Sequence, residues 1–108
     1  MSYFLSSSSA SRHDLFPGVQ ITTATGETLT LSLVELEPHS EVPWHSHPHE
    51  QLGMLLEGAL TFWAGDEEQQ LCPGDMWRIP GGVPHRVLAG DEPVKAIDVF
   101  HPVREDYR

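Results

Sequence analysis

His45-Ser46-His47-Pro48-His49-Glu50-Gln51, with Gly74-Asp75-Met76-Trp77-Arg78-Ile79-Pro80-Gly81-Gly82-Val83-Pro84-His85 after it, sets how the rest of this 108-residue chain is read. Alternate residues of an extended strand point to one face, so His45 and His47 are expected to reach one ion together. His85 then arrives from a neighbouring strand, forty residues after His45. Imidazoles gathered in this way suit a divalent metal ion.

Around these segments the chain breaks into short runs rich in Thr, Val, Leu and aromatics. From Phe16-Pro17-Gly18 onward, Gly, Pro or acidic turns interrupt them about every 8 to 12 residues, which is an all-β rhythm. Strands are expected over 28–37, 51–56, 59–63, 69–71, 75–79, 85–88 and 94–100. In the first of them Leu29, Leu31 and Leu33 alternate with Thr28, Thr30 and Ser32, until Val34-Glu35-Leu36 shifts the phase as a bulge or bend does. Glu57-Gly58 predicts a tight hairpin turn and Ala64-Gly65-Asp66-Glu67 another. No stretch carries sustained helical periodicity. Many short antiparallel strands in one small domain favour a sandwich or a closed barrel.

Composition narrows the function. Six Lys and Arg against 16 Asp and Glu, a formal charge of -10, argue against nucleic acid and anionic membranes as partners. No run approaches the roughly 20 apolar residues of a membrane span. Cys72 is the one cysteine, and residues 1–11 have neither the basic nor the apolar region of an export signal, so a soluble, cytoplasmic protein is expected. Those first residues read as a frayed terminus or as an arm that packs on a partner subunit.

The two quoted segments together resemble the paired motifs of the cupin family, separated by their shortest linker and covering residues 37 to about 89. His39 stands where the first motif usually has Gly, and Ala89 where the second often has Asn. The resemblance implies an all-β, single-domain cupin over 1–108, a double-stranded β-helix (jelly-roll) barrel with its core at about 19–101. It also implies a homodimer, with residues 1–15 flexible or exchanged between subunits. Cupins usually offer Glu after the His pair, and the spacing to Gly58 puts Gln51 in that slot. Glu50 falls one residue early, where strand alternation points it away. The implied ligands of a divalent ion (nickel, zinc, iron or manganese) are thus His45, His47, Gln51 and His85, with Glu50 the alternative to Gln51. An uncharged shell leaves the ion its full double charge. For a substrate carboxylate about 5 Å away, the extra unit is worth roughly 3 kcal/mol at an effective dielectric near 20. That favours small anions and Lewis-acid chemistry over oxygen activation.

In the last predicted strand, Asp98 and Phe100 share one face of an otherwise apolar run, and a carboxylate there is costly unless solvated, paired or used. Asp98 is a candidate general acid/base, and Arg104 a candidate to fold back and pair with a substrate carboxylate, with Arg78 the weaker one. His13, His39, His49 and His101 read as surface histidines, and Trp44, Trp63 and Trp77 as mostly core. With Pro102-Val103-Arg104-Glu105-Asp106-Tyr107, these features resemble the small cupins of pectin and alginate degradation, which convert 4,5-unsaturated monouronates to the linear keto form. This implies a small anionic carbohydrate substrate, a metal-dependent isomerase- or hydrolase-like ketonisation, and Asp98, Phe100 and Arg104 acting on the substrate. The alternatives are an iron-dependent cupin dioxygenase and a non-catalytic cupin that binds or senses a small anion.

Overall fold

A computed structural model describes residues 2–108. Ten strands run in chain order: β1 (Ser11–Phe16), β2 (Val19–Thr25), β3 (Thr30–Leu36), β4 (Glu41–His45), β5 (Glu50–Glu57), β6 (Leu60–Ala64), β7 (Glu67–Leu71), β8 (Met76–Ile79), β9 (His85–Ala89) and β10 (Val94–His101). One turn of 3-10 helix, Glu105–Tyr107, follows. The strands form two antiparallel sheets, a six-stranded one ordered β1-β2-β3-β10-β5-β8 and a four-stranded one ordered β4-β9-β6-β7. From β3 to β10 the chain crosses between them repeatedly, the connectivity of a jelly roll. Phe62, Leu60 and Ala89 from the smaller sheet pack with Val19, Leu36, Leu55, Trp77 and Ile79 from the larger one to make the core.

Cross-strand register explains what the inside of the larger sheet presents. One row joins Ile21, Val34, Ala96 and Leu55, and is apolar. The next joins Thr23, Ser32, Asp98, Gly53 and Trp77, and a third joins Thr25, Thr30, Phe100, Gln51 and Ile79. Polarity therefore rises from the first row to the other two along the inner face. This gradient corrects the expected bulge at Val34-Glu35-Leu36, because β3 pairs without interruption on both sides. Thr30, Ser32 and Leu36 face inward with Val34, in strict alternation, while Leu31 lies outside at 44% exposure. The apolar side switches because the interior changes character, with no slip of the backbone.

Glu57-Gly58 is likewise a corner and not a hairpin: β5 pairs with β10 and β8, and β6 with β7 and β9. Ala64 pairs with Glu67, so the second expected turn is a hairpin. The larger sheet leaves Leu31, Leu52, Leu56 and Met76 exposed on its outer surface. Of the three tryptophans only Trp77 is buried, whereas Trp44 is 52% exposed, which corrects its assignment to the core. No helix is long and apolar enough to cross a membrane among the described residues.

Candidate metal centre

His45 ends β4, His47 lies just beyond it in the loop to β5, and His85 opens β9 directly opposite His45. One strand was expected to carry both His45 and His47; the extended backbone past β4 keeps the second imidazole beside the first. One nitrogen from each of the three rings falls within 4.8 Å of the others. The backbone chooses which nitrogens these are. Nδ1 of His45, His47 and His85 lies 2.9, 3.0 and 2.9 Å from the carbonyl oxygens of Pro43, His49 and Val83. A carbonyl only accepts, so each Nδ1 carries the proton and each Nε2 keeps its lone pair. The buried Nε2 of His85 has no hydrogen-bond partner among the described residues.

Gln51 brings a fourth lone pair. It is buried, whereas Glu50 is exposed. Its amide nitrogen donates to Asp98 Oδ1 at 3.0 Å, which turns Oε1 toward His47 Nε2 at 3.1 Å. Two acceptors facing each other repel unless a cation lies between them. The opposed lone pairs and the orphaned His85 nitrogen fit a divalent ion held by imidazole and amide donors. Burial holds His85 down at about 4 and is the main cause lowering His47 as well, so both rings stay neutral and ready to ligate near pH 7.

Asp98 sits beside this cluster, buried but lining the cavity. Burial raises its carboxyl to about 6, and the hydrogen bonds from Gln51 and Trp77 and the charge of Arg104 moderate that rise. The indole N–H of Trp77 donates to Asp98 Oδ1 at 2.7 Å, so both bonds fall on one oxygen, and Oδ2 takes none among the described residues. Gly53 makes this possible. It lies between Asp98 and Trp77 in the row, and a Cβ there would stand 2.2 Å from Trp77 Nε1 and 2.3 Å from Asp98 Oδ1. The roles of Trp77 and Gly53 were not read from the sequence.

The tail closes over the cavity. Arg104 is 8% exposed, its backbone N–H donates to Thr30 Oγ1 at 2.9 Å, and its guanidinium lies 5.0 Å from the Phe100 ring and 4.1 Å from that of Tyr107. Asp106 accepts from Nε and Nη2 of Arg104 at 3.1 and 2.7 Å, which lowers the Asp106 carboxyl. Thr23 Oγ1 and His13 Nε2 both hydrogen-bond the Tyr107 carbonyl, so His13 is an anchor of the tail and not a surface histidine. His49 is half-buried, its ring 5.6 Å from that of His47, which also corrects its surface assignment. His39 and His101 are exposed. Arg78 is exposed too, on the strand whose inner residues are Trp77 and Ile79, and it takes no part in the cavity. His45, Gln51, His85, Asp98, Phe100, Arg104 and Tyr107 line one cavity, floored by apolar residues such as Val19, Ile21, Leu60 and Phe62.

Residues 32–100 match the family model described as a cupin domain. The chain belongs to the cupin family. Among solved structures, KdgF from Halomonas sp. is similar over 89% of this chain and 91% of that one, at 28% identity and a TM-score of 0.83. An RmlC-like cupin from Shewanella frigidimarina covers 100% and 97%, at 22% identity and a TM-score of 0.89. Oxalate decarboxylase from Bacillus subtilis matches 95% of this cupin and 30% of its own chain, at 22% identity and 0.84. The last two show the fold alone. No curated protein matches the sequence.

Proposed function

We propose that this cupin is a metal-dependent, non-redox sugar-acid enzyme that converts 4,5-unsaturated monouronates to the linear keto form. The observation that carries this reading is a buried carboxylate, Asp98, lining the same cavity as His45, His85 and Arg104, with His47 completing the three-imidazole cluster beside it. The likeness to KdgF supports the resemblance to uronate-linearising cupins drawn from the sequence. His45, His47, Gln51 and His85 would hold the divalent ion, for which nickel, zinc, iron and manganese all suit the donors. When bound, it supplies Lewis acidity toward ring or carboxylate oxygens.

The chain's own residues account for the remaining steps. Asp106 occupies two of the five N–H donors of Arg104, leaving three for the substrate carboxylate. The rings of Phe100 and Tyr107 hold that guanidinium in place and wall the cavity. Asp98, with a carboxyl near 6, takes and returns a proton at neutral pH through its unbonded Oδ2. The anomeric hydroxyl loses its proton to Asp98, the ring C–O bond breaks, and the enolate so released regains a proton at carbon. Atoms balance with no oxidant and no nucleophile.

The test is the ultraviolet band of an unsaturated monouronate incubated with metal-loaded protein. Loss of the band without oxygen uptake is expected. Uptake of oxygen would point instead to a dioxygenase, and binding with the band intact to a sensor. The reading includes a homodimer through the outer face of the larger sheet, where Leu31, Leu52 and Met76 are exposed together with Tyr3 and Phe4 of the N-terminal arm. Sedimentation at the mass of one chain would remove it.

A further inference from the structure

Ser32 is 1% exposed, and its Oγ has no hydrogen-bond partner among the described residues. Its neighbours differ. Thr23, beside it in the row, donates to the Tyr107 carbonyl, and Thr30, two residues away, accepts from the Arg104 N–H. A buried hydroxyl that gives up water and gains nothing is destabilising, and such groups normally serve a partner. Ser32 pairs directly with Asp98 and lines the same cavity as His45, Gln51, His85 and Arg104. On the other side of Asp98, Gln51 and Trp77 already saturate Oδ1. Directly opposed residues in an antiparallel pair have Cβ atoms about 4.5–5.5 Å apart. Two groups at that spacing can hold one oxygen between them at hydrogen-bond distance.

We infer that Ser32 contacts the substrate, its hydroxyl and Asp98 together gripping one hydroxyl group of the sugar acid. The inference rests on the uronate reading above and deepens it. Ser32 thereby becomes a specificity residue that separates a hydroxyl-bearing anion from its deoxy counterpart, a distinction that neither the metal ligands nor Arg104 draws.

The experiment uses the full-length, nickel-loaded protein and compares wild type with Ser32→Ala. Calorimetry measures binding of a 4,5-unsaturated galacturonate and of its three monodeoxy analogues, and the ultraviolet band measures conversion. Ser32→Ala should weaken binding of the parent compound by roughly tenfold, the loss of about one neutral hydrogen bond. Nickel content should not change, and the melting temperature should equal or exceed that of wild type. The penalty should vanish for one of the three analogues, the one lacking the gripped hydroxyl. An equal penalty for the parent and every analogue, no penalty at all, or a melting temperature several degrees below wild type would overturn the assignment of Ser32 alone. If wild type neither binds nor converts the uronate, the functional reading fails and this inference fails with it.

Discussion

Gly53→Ala adds one carbon where three strands bring Asp98, Gly53 and Trp77 into line. The new Cβ would lie 2.2 Å from Trp77 Nε1 and 2.3 Å from Asp98 Oδ1, where ordinary contact begins near 3.4 Å. Indole or carboxylate must therefore retreat by roughly an ångström, and the 2.7 Å bond between them cannot survive. Overpacking of this kind costs about 1–3 kcal/mol, and losing a hydrogen bond to a charged group about 1.5–3 kcal/mol. Replacing a strand glycine returns about 0.5–1 kcal/mol. The net expectation is a loss of about 2–5 kcal/mol, a large share of a small domain's stability. Urea unfolding of the metal-free protein, followed by tryptophan fluorescence, measures it. Trp77→Phe, which removes the donor without crowding, should cost the hydrogen bond plus the packing lost with the second ring, since Trp77 belongs to the core. A misplacement of about an ångström should also lower uronate conversion by roughly 100-fold. An unfolding free energy within about 0.5 kcal/mol of wild type would show that the site does not need glycine, and the argument from the Cβ distances would be wrong.

Three further expectations concern the metal cluster, the carboxylate and the guanidinium. His85→Ala should reduce nickel or zinc, assayed by elemental analysis after dialysis, from stoichiometric to trace levels; full loading would exclude His85 as a ligand. Asp98 titrates near 6 when folded against 3.8 for the free side chain, so between those values the folded chain binds the extra proton and its stability falls as pH rises. In metal-free protein the stability gained by Asp98→Asn should therefore widen by on the order of 3 kcal/mol from pH 4 to pH 7, and a pH-independent difference in chemical denaturation would contradict this. Arg104→Lys keeps the charge but loses the planar fork, so KM for a uronate should rise roughly tenfold or more with metal content unchanged; an unchanged KM would remove Arg104 from carboxylate binding.

Much of this arrangement was legible in the sequence, and what was missed has a common cause. His45, His47 and His85 announce themselves by residue type and spacing, and the period of two places Asp98 and Phe100 on one face. Alternation also separates Gln51 from Glu50. Register between strands distant in the chain leaves no such mark. Nothing in the sequence says that Ser32 lies opposite Asp98, or that Trp77 reaches over Gly53. Leucines alternate with Thr and Ser in β3, which alone does not say which face turns inward, and the polar set is inside, lining the cavity. A signal was present there: Thr30 and Ser32 keep the phase of Leu36. Glu57-Gly58 has the composition of a hairpin, but turn composition does not reveal which sheet the next strand joins.

The 3.0 Å bond from Gln51 to Asp98 binds the fates of two positions. Cupins usually carry glutamate where this chain has Gln51, but here that acid would confront the Asp98 carboxylate across the same gap, with no N–H to offer. Two negative groups so close would have to share a proton, silencing one of them. An amide at position 51 thus leaves Asp98 free to ionise, where an acid would compete with it for one proton. Among relatives of this chain, Gln51 and Asp98 should be inherited or replaced together, as one lock and its key.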